Sequence, residues 1–428
     1  MKIAIAGYGM EGEASYRYWA MDNKNELTIF DERQPERDVP VGAKAVVGGN
    51  AFDNLNGFDL VIRTASLAPS RIKTDGKIWS STNEFFAKCP AKIIGVTGTK
   101  GKGTTSSLIS SIFEASGKKV WLVGNIGKSA LDILDQVGSE DIVVFELSSF
   151  QLWDIERSPH TAVVLMIEPD HLNVHKDTDD YVQAKANIRK YQGDDDICIY
   201  HPSNQDSKNI AHSSSHGKIL RYGVPDDGGV YERDGKFLQN GEIICSTELL
   251  QLIGEHNIEN ACAAISVATE YDVSIGAIEE GLRSFKGLPH RLEFIRSVSG
   301  IDYYDDSIST TPSSAIAALR SFDKPKVIIL GGSSKGADFS ELCNELLKHD
   351  VSAILVGDEA KNIANQCEKV GFKNFEIVLG DMTEAVKKAR DKAKEGSVVL
   401  LSPASASFGQ FKNYADRGDQ FARAVNTL

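Results

Sequence analysis

The chain has 428 residues, of which 41% are hydrophobic and 25% are charged, and its formal net charge at pH 7 is −13. These proportions are typical of a globular protein with two or three domains, and the negative charge argues against nucleic acid or an anionic membrane as the main partner. The apolar run near the N-terminus, residues 3–6, is too short for a signal peptide, and no stretch reaches membrane-spanning length. The six cysteines lack Cys-x-x-Cys spacing. We therefore expect a cytoplasmic protein with reduced core cysteines.

The first predicted elements form a small N-terminal unit that ends near residue 88, with strands at residues 2–6, 27–30 and 60–62. The sequence Gly-Tyr-Gly-Met-Glu-Gly after the first strand follows the G-x-G-x-x-G pattern, and Asp31 closes the second strand. In this pattern glycines let the backbone approach a pyrophosphate, and the acid binds a ribose hydroxyl. The pattern fits NAD in a dehydrogenase, a UDP-type pyrophosphate or a structural turn. Because the unit is short for a complete dinucleotide fold, UDP fits at least as well as NAD.

A second glycine-rich turn lies between a predicted strand at residues 93–96 and a predicted helix. Such a turn directs backbone N–H groups and the helix dipole at a phosphate. Lys102 can reach the outer phosphates, and Thr104 or Thr105 can hold magnesium. The turn departs from the strict P-loop pattern at Val96 and Gly103. The sequence nevertheless predicts a nucleoside triphosphate site formed by Gly98, Thr99, Lys100, Gly101, Lys102, Gly103, Thr104 and Thr105.

Acidic and histidine residues follow two strands of this central unit. Glu146 ends one strand and Asp170-His171 follows another, where oxygen ligands can hold magnesium at the sheet edge. His171 and His175 are four residues apart, which on a helix would suit zinc. No H-E-x-x-H motif or cysteine partner accompanies them, so we expect His175 to be solvated.

The remaining elements continue an α/β pattern. A hinge is predicted at residues 287–289, and a third α/β domain follows it. Further central strands are predicted at 120–123, 142–145 and 162–167, surface turns at 205–217, short antiparallel strands at 228–241, and C-terminal strands at 302–304, 327–330, 353–356, 375–378 and 398–401.

Taken together, these motifs resemble those of the Mur ligases, in order and nearly from end to end. The matching segments are 98–102, 146–152, Asp170-His171, Tyr181 with Lys185, 254–260, 287–293 and 402–417. The resemblance is strongest to the members that use ATP to join D-glutamate to UDP-N-acetylmuramoyl-L-alanine through an acyl phosphate. It implies three domains: a small Rossmann-like UDP-substrate domain (1–88), a central P-loop-type ATPase domain with a mostly parallel sheet (89–287), and a Rossmann-like C-terminal domain (288–428).

The resemblance also assigns residues to the reaction centre. Lys102, Glu146, His171 and Lys185 would be catalytic, and Thr104, Glu146, His171 and Lys185 would hold two Mg²⁺ ions, with Lys185 carbamylated. On the sequence alone, Lys185 fits a solvated helix position better.

Substrate-binding residues are implied in the same way. Asn257, Asn260, Arg291 and Asp306 would complete the ATP site. The UDP-substrate would meet Gly9, Met10, Glu11, Asp31, Glu32, Ser66, Asn125 and Ser148. D-Glutamate would meet Thr310, Lys335, Ser407 and Tyr414.

Several departures from the family pattern leave other functions open. Ile308 stands where many members carry lysine, and residues 66–69 replace the usual turn near the uracil. The sequence Gly-Lys-Gly-Thr at residues 101–104 is more like folylpolyglutamate synthetase, and a non-enzymatic nucleotide switch is a third alternative. No long apolar stripe requires a dimer, so we expect a monomer that binds small-molecule substrates.

Overall fold

The computed structural model describes residues 1–35, 37–125, 128–172, 174–225, 228–334 and 336–428. The chain divides into two compact units, one formed by Met1–Gln251 with Glu255–Phe285 and the other by Leu252–Gly254 with Lys286–Leu428. Among the helices in these ranges, none combines the length and hydrophobicity that crossing a membrane requires. The first unit contains both the N-terminal sheet and the central sheet, and the three-domain boundaries stay a prediction.

The N-terminal part of the first unit is a five-stranded parallel sheet. Its elements are β1 (Lys2–Ala6), α1 (Met10–Ala20), β2 (Glu26–Asp31), β3 (Lys44–Val47), β4 (Leu60–Arg63), β5 (Lys77–Ser80) and α2 (Ser81–Lys88). The strand order is β3-β2-β1-β4-β5. The order reverses beside β1, so the first glycine turn opens at the point where such sheets bind ligands.

The central part is a six-stranded parallel sheet followed by a small antiparallel one. The parallel strands are β6 (Lys92–Thr97), β7 (Val120–Gly124), β8 (Ile142–Glu146), β9 (Thr161–Val164), β10 (Ile197–Tyr200) and β11 (Lys218–Arg221), and the antiparallel ones are β12 (Tyr231–Arg233), β13 (Lys236–Gln239) and β14 (Glu242–Ser246). The helices are α3 (Lys102–Ala115), α4 (Ser149–Leu152), α5 (Thr178–Lys190), α6 (Gln205–Ala211), α7 (Glu255–Glu270) and α8 (Ile275–Ser284). The strand order β11-β10-β9-β6-β8-β7 places β6 between β8 and β9. The second glycine turn therefore opens at the carboxyl edge of the sheet, beside the ends of both neighbouring strands.

Two predictions for the central unit were wrong, one in the extent of a strand and one in the type of structure. The strand predicted at 162–167 ends at Val164 because the chain then passes over the glycine loop, where Met166 O accepts a hydrogen bond from Thr99 N (2.8 Å). The segment predicted as surface turns at 205–217 begins with helix α6. The side chain of Asn204 caps this helix by accepting a hydrogen bond from Ser207 N. One face of the helix is buried, and the polar composition of the segment concealed this.

The second unit is a mixed six-stranded sheet covered on both faces. Its strands are β15 (Glu293–Val298), β16 (Ile301–Asp305), β17 (Lys326–Gly331), β18 (Val351–Val356), β19 (Phe375–Val378) and β20 (Val398–Leu401), and its helices are α9 (Pro312–Arg320), α10 (Ser340–Leu346), α11 (Ala360–Val370), α12 (Met382–Lys392) and α13 (Tyr414–Asn426). The order is β15-β16-β20-β17-β18-β19, with β15 antiparallel to β16 and the other neighbours parallel. Separate apolar clusters pack on its two faces, as a buried parallel sheet requires.

Within the first unit, Arg63 links the N-terminal sheet to the central part. Its side chain is fully buried at the end of β4 and forms two bonds with Asp154, Nη2 to Oδ1 at 2.6 Å and Nε to Oδ2 at 2.8 Å. Its remaining N–H groups donate to carbonyl oxygens, including those of Leu67 and Phe150. This satisfied, bidentate pair fixes the turn after β4 against α4.

Candidate active site

The glycine loop between β6 and α3 is built too tightly for larger residues. Gly101 precedes the first helical residue, Lys102, and has φ of +84°, a conformation that favours glycine. A Cβ atom at Gly101 would lie 2.4 Å from Asn260 Oδ1, and one at Gly98 would lie 2.7 Å from Leu165 Cβ. Glycine at these two positions thus lets the loop pack against its neighbours and lead into the start of α3, where helix N–H groups can bind an anion.

Polar side chains hold this loop from within the first unit. Lys102 Nζ donates to the carbonyl oxygens of Gly98 (3.1 Å) and Thr99 (3.0 Å). Thr99 Oγ1 accepts a hydrogen bond from Glu168 N at 2.8 Å and lies 2.9 Å from the Tyr181 hydroxyl. Lys102 therefore lies folded on the loop, where phosphate oxygens can replace the two carbonyls as its partners.

The two threonines at the start of α3 differ in their contacts. Thr105 Oγ1 donates to Asn260 Oδ1 at 3.2 Å, and Asn260 Nδ2 donates to Asn257 Oδ1 at 3.1 Å, so both of these predicted ATP residues lie buried on one face of α7. Across the described part of the chain, the Thr104 hydroxyl makes no hydrogen bond. Thr104 is therefore the better placed of the two to bind a metal.

Lys185 is buried on α5, although the sequence alone favoured a solvated position. That expectation was wrong because this face of α5 packs on the glycine loop. The side chain is 1% exposed, and Nζ donates to Gly98 O at 2.8 Å and lies 4.7 Å from the Tyr181 ring centroid. Burial holds the pKa of Lys185 well below its usual value, and Lys102 lowers it further, while Asp170 and Glu146 act in the opposite direction.

Glu146 lies at the carboxyl end of β8 and is 3% exposed. Asn125 Nδ2 donates to Glu146 Oε1 at 3.3 Å, and the Asn125 N–H donates to the Glu146 carbonyl at 3.2 Å. Asn125, assigned above to the UDP-substrate, thus also orients the candidate metal ligand.

His171 lies near the same group of charges. Its backbone has φ of +54°, and its ring centroid lies 4.9 Å from that of Phe150. Burial lowers the pKa of His171; Asp170 raises it, and Lys102 and Lys185 lower it. A neutral imidazole is the form that binds metals. Lys102, Glu146, His171 and Lys185 therefore belong to one electrostatically connected group beside the glycine loop.

His175 is buried rather than solvated, so that prediction was wrong. His175 Nε2 lies 2.9 Å from Ser149 Oγ, and Nδ1 lies 2.9 Å from Asp180 Oδ2. Its ring stacks on Phe150 at 5.3 Å with an interplanar angle of 9°. The His175 N–H also donates to His171 O at 2.9 Å. Since Ser149 and Asp180 lie in the first turns of α4 and α5, His175 holds the turn that carries His171.

Several of the predicted UDP-substrate residues lie in or next to the first glycine turn. Glu11 Oε2 accepts a hydrogen bond from Ala65 N at 2.6 Å, and Asp31 Oδ2 accepts one from Tyr8 N at 2.7 Å. Both acids thus brace turns at the carboxyl edge of the N-terminal sheet. The other members of the set are Gly9 before α1, exposed Met10 and Ser66, Glu32 paired with Arg71, and Ser148 capping α4.

In the second unit, Asp306 is 3% exposed and follows β16. Its carboxylate accepts hydrogen bonds from Ser402 Oγ (2.7 Å) and Leu292 N (3.3 Å). Burial raises the pKa of Asp306 to about 6, and these hydrogen bonds partly oppose it. Arg291, the other residue of this unit predicted for the ATP site, is exposed.

The predicted glutamate residues of the second unit differ in exposure. Ser407 is buried, Thr310 is partly exposed and Tyr414 is 41% exposed. The Tyr414 carbonyl accepts a hydrogen bond from Ser307 Oγ at 2.7 Å. Lys335 lies outside the described residues.

Buried Arg417 organises this region, a role that its place in the C-terminal motif did not reveal. Its guanidinium donates to Ser307 Oγ (2.9 Å), Ser307 O (2.8 Å) and Ser405 O (3.0 Å). Nearby, His290 Nδ1 lies 2.7 Å from Asp305 Oδ2. The sequence alone does not distinguish Arg417 and His290 from exposed charged residues, because their burial and hydrogen bonds depend on the folded structure.

These features define a nucleotide-binding α/β protein. They are a glycine loop between a parallel strand and a helix, a lysine at the start of that helix, and a buried carboxylate at the end of the neighbouring strand of the sheet. The chain belongs to the Mur ligase family. Residues 96–268 match the model of the Mur ligase middle domain, and residues 290–405 match that of the Mur ligase, glutamate ligase domain.

Two full-length relatives carry the same name. The UDP-N-acetylmuramoylalanine–D-glutamate ligase of Clostridium novyi is 36% identical over 446 residues, which cover 100% of this chain and 97% of the relative. The ligase of the same name from Clostridium tetani is 34% identical over 448 residues, with the same coverage.

Solved structures share the fold at lower identity. The UDP-N-acetylmuramate-alanine ligase of Thermotoga maritima has a TM-score of 0.64 at 19% identity and covers 100% of this chain and 99% of its own. The MurF ligase of Thermotoga maritima, solved with ADP, has a TM-score of 0.62 at 17% identity, with coverages of 99% and 94%. The folylpolyglutamate synthase of Mycobacterium tuberculosis has a TM-score of 0.58 at 15% identity, with coverages of 81% and 93%.

Proposed function

We propose that this protein is a cytoplasmic ATP-dependent amide ligase that adds D-glutamate to UDP-N-acetylmuramoyl-L-alanine during peptidoglycan precursor synthesis. The names of the full-length relatives support this reaction. The single observation that carries its chemistry is the burial of Lys185 against the glycine loop, beside Lys102 and Glu146.

The reaction must activate a carboxylate, because a carboxylate oxygen is a poor leaving group. ATP would phosphorylate the carboxylate of the UDP-substrate to an acyl phosphate. The amine of D-glutamate would then attack the carbonyl carbon, and phosphate would leave. Since ATP and the acid are both anionic, cations must flank the transferred group.

Lys102 and the start of α3 would supply part of that positive field. The backbone N–H groups after Gly101 are available to phosphate oxygens, and Lys102 can exchange its two carbonyl partners for the outer phosphates. Phosphate binding would thus draw Lys102 off the loop.

The donor set also fits magnesium, which when bound would neutralise phosphate charge and orient the transferred group. Glu146 and Thr104 offer oxygen ligands, the type that Mg²⁺ prefers, and Asn125 fixes one Glu146 oxygen. We assign a first ion to Thr104 and Glu146 and a second to His171 with Lys185.

Lys185 fits a metal site only as its carbamate. An ammonium would repel the ion, whereas its CO₂ adduct carries anionic oxygens. The amine must be unprotonated to react with CO₂, and the burial that lowers the pKa of Lys185 favours this form. The structure therefore supports carbamylation at this residue.

The remaining assignments extend this proposal. Residues 1–88 would bind the UDP-substrate, 89–287 ATP and 288–428 D-glutamate with part of ATP. The UDP residues would be Gly9, Met10, Glu11, Asp31, Glu32, Ser66, Asn125 and Ser148; the further ATP residues Asn257, Asn260, Arg291 and Asp306; and the glutamate residues Thr310, Lys335, Ser407 and Tyr414. The protein would act as a monomer on small molecules.

A panel of substrates tests this function by phosphate release. We expect release only when UDP-N-acetylmuramoyl-L-alanine, ATP, Mg²⁺ and D-glutamate are all present. Equal rates with L-lysine or meso-diaminopimelate would contradict the choice of amino acid. Release that depends on a pterin instead of the UDP-substrate would support a folylpolyglutamate synthetase.

A further inference from the structure

Two cysteines of the second unit that have no assigned role in ligation lie in direct contact. Cys343 on α10 and Cys367 on α11 have Sγ atoms 3.0 Å apart, and both side chains are fully buried. The structure contains them as free thiols. They are 24 residues apart, so a bond between them would close a loop that includes β18 and joins two packed helices.

We propose that Cys343 and Cys367 are a modification site that hydrogen peroxide converts into an intramolecular disulfide. A disulfide needs an S–S distance of about 2.0 Å, so the sulfurs must approach by roughly 1 Å. Side-chain rotation within the α10–α11 contact can supply a shift of this size. This disulfide would form within the fold of the second unit and independently of the ligase reaction.

The surroundings of the pair keep it in register. The Cys343 thiol lies 3.9 Å from Ile363 O, one turn before Cys367. Gln366, the neighbour of Cys367, accepts a hydrogen bond through Oε1 from Phe339 N at 2.8 Å, just before α10 begins. These contacts fix α10 and α11 beside each other, so the two thiols stay within reaction distance.

The oxidation proceeds in two steps. The Cys343 thiolate attacks one oxygen of hydrogen peroxide, the O–O bond breaks, and the departing hydroxide takes the thiol proton and leaves as water, giving a sulfenic acid. The Cys367 sulfur then attacks the Cys343 sulfur, the S–O bond breaks, and hydroxide leaves with the Cys367 proton as a second water. Two thiols thus lose two electrons to one peroxide, giving one disulfide and two waters.

Electrostatics indicates which sulfur reacts first. The hydrogen bond between the two sulfurs lowers the pKa of Cys343 and raises that of Cys367. Cys343 is therefore the thiol that reaches the thiolate form more readily. Because both thiols are buried, peroxide must reach them through local opening of this region.

Peptide mass spectrometry of the full-length protein tests the site. The protein is incubated with hydrogen peroxide and denatured. One sample is then alkylated with iodoacetamide directly, a second is reduced with dithiothreitol before alkylation, and both are digested. We expect one cross-linked pair of peptides that contains Cys343 and Cys367. Its mass should be lower by two hydrogens than the sum of the two reduced, unalkylated peptides. Cys89, Cys198, Cys245 and Cys262 should be alkylated, and dithiothreitol should restore two further alkylated thiols. Alkylation of all six cysteines after peroxide treatment, or conversion of Cys343 to sulfinic acid without a cross-link, would overturn the proposal.

The midpoint of thermal unfolding gives a second test, first on the wild-type protein and then on cysteine variants. The disulfide restricts the unfolded chain, so the oxidised protein should unfold at a higher temperature than the reduced protein. Cys343→Ser and Cys367→Ser should each remove the cross-link and the shift. Cys262→Ser, a buried cysteine of the first unit, should retain both. An equal or lower midpoint for the oxidised wild-type protein would contradict the proposed bond between α10 and α11.

Discussion

At the scale of single residues, burial changes the chemistry of groups whose sequence context looks ordinary. Lys185 lies in a polar helix, yet its amine packs on Gly98 O and its pKa falls because water is excluded. Asp306 changes in the opposite direction for the same reason, since burial penalises the charged form of an acid. These two residues give predictions that a solvated lysine and a solvated aspartate would not.

Replacing Lys185 should disable the reaction centre specifically. Lys185→Ala removes the amine that the proposed carbamate requires, so we expect activity to fall by roughly 100-fold or more. Lys190→Ala changes an exposed lysine of the same helix and should leave activity unchanged. In ¹³C-bicarbonate, the wild-type protein should show a carbamate signal by NMR that Lys185→Ala lacks. Wild-type activity in Lys185→Ala would show that the residue has no part in catalysis.

Asp306 should make stability depend on pH. Its folded-state pKa of about 6 exceeds the ordinary value of 3.8, so between these values the folded state holds a proton that the unfolded state has lost. Stability from this group is therefore present at low pH and is lost as pH rises to about 6. Relative to Asp306→Asn, the wild-type free energy of unfolding should fall by about 3 kcal/mol between pH 3.5 and pH 7. Urea unfolding of both proteins at several pH values measures this change. A difference in free energy of unfolding that stays constant with pH would refute the raised pKa of Asp306.

At the scale of elements, a helix end or a turn acts through its backbone conformation and its nearest neighbours. The glycine loop needs a positive φ at Gly101 and also the space that Asn260 leaves. The link between β4 and α4 depends on the burial of Arg63 together with Asp154. Each feature has a matched control elsewhere in the same unit.

Gly101→Ala should impair both stability and ATP binding. Gly101 and Gly117 lie at opposite ends of α3 with φ of +84° and +80°, but an added Cβ meets Asn260 at the first and nothing within 4 Å at the second. Gly117→Ala should cost about 1 kcal/mol from backbone strain alone and leave the KM for ATP unchanged. Gly101→Ala should cost more and raise that KM. Equal effects of the two substitutions would mean that the space beside Asn260 is unimportant.

Arg63→Met should destabilise the first unit strongly. The substitution leaves the partly buried Asp154 without its bidentate partner, at a cost of roughly 3–5 kcal/mol. Arg17 also forms a 2.8 Å ion pair, with Asp132, but both side chains are exposed, so Arg17→Met should cost less than about 1 kcal/mol. Chemical denaturation of the two variants compares these costs directly. Similar values would show that burial adds nothing to the Arg63 pair.

At the scale of the whole molecule, periodicity and glycine turns predicted the α/β class and most of the strands. β1, β6 and β8 are apolar runs bounded by turns, so their positions are readable from local sequence. Helix α6 was missed because its polar composition concealed the local cap that Asn204 provides, whereas the early end of β9 depends on a contact with the glycine loop, which is distant in sequence.

The candidate site divides in the same way. The glycine loop and Glu146 were predictable because their chemistry lies in a local motif after a strand. The burial of Lys185 and the bonds of His175 were not, because a helix sequence does not specify which neighbour covers each face. The resemblance to the Mur ligases identified Lys185, and the fold supplies the physical reason for its unusual amine.

Isotope transfer from the acid substrate to phosphate tests the central claim most directly. UDP-N-acetylmuramoyl-L-alanine labelled with ¹⁸O in its carboxylate is incubated with ATP, Mg²⁺, D-glutamate and the protein, and the released phosphate is analysed by mass spectrometry. Activation through an acyl phosphate predicts one ¹⁸O atom in each phosphate, because the carboxylate oxygen leaves with the phosphoryl group. Amide product accompanied by unlabelled phosphate would contradict it.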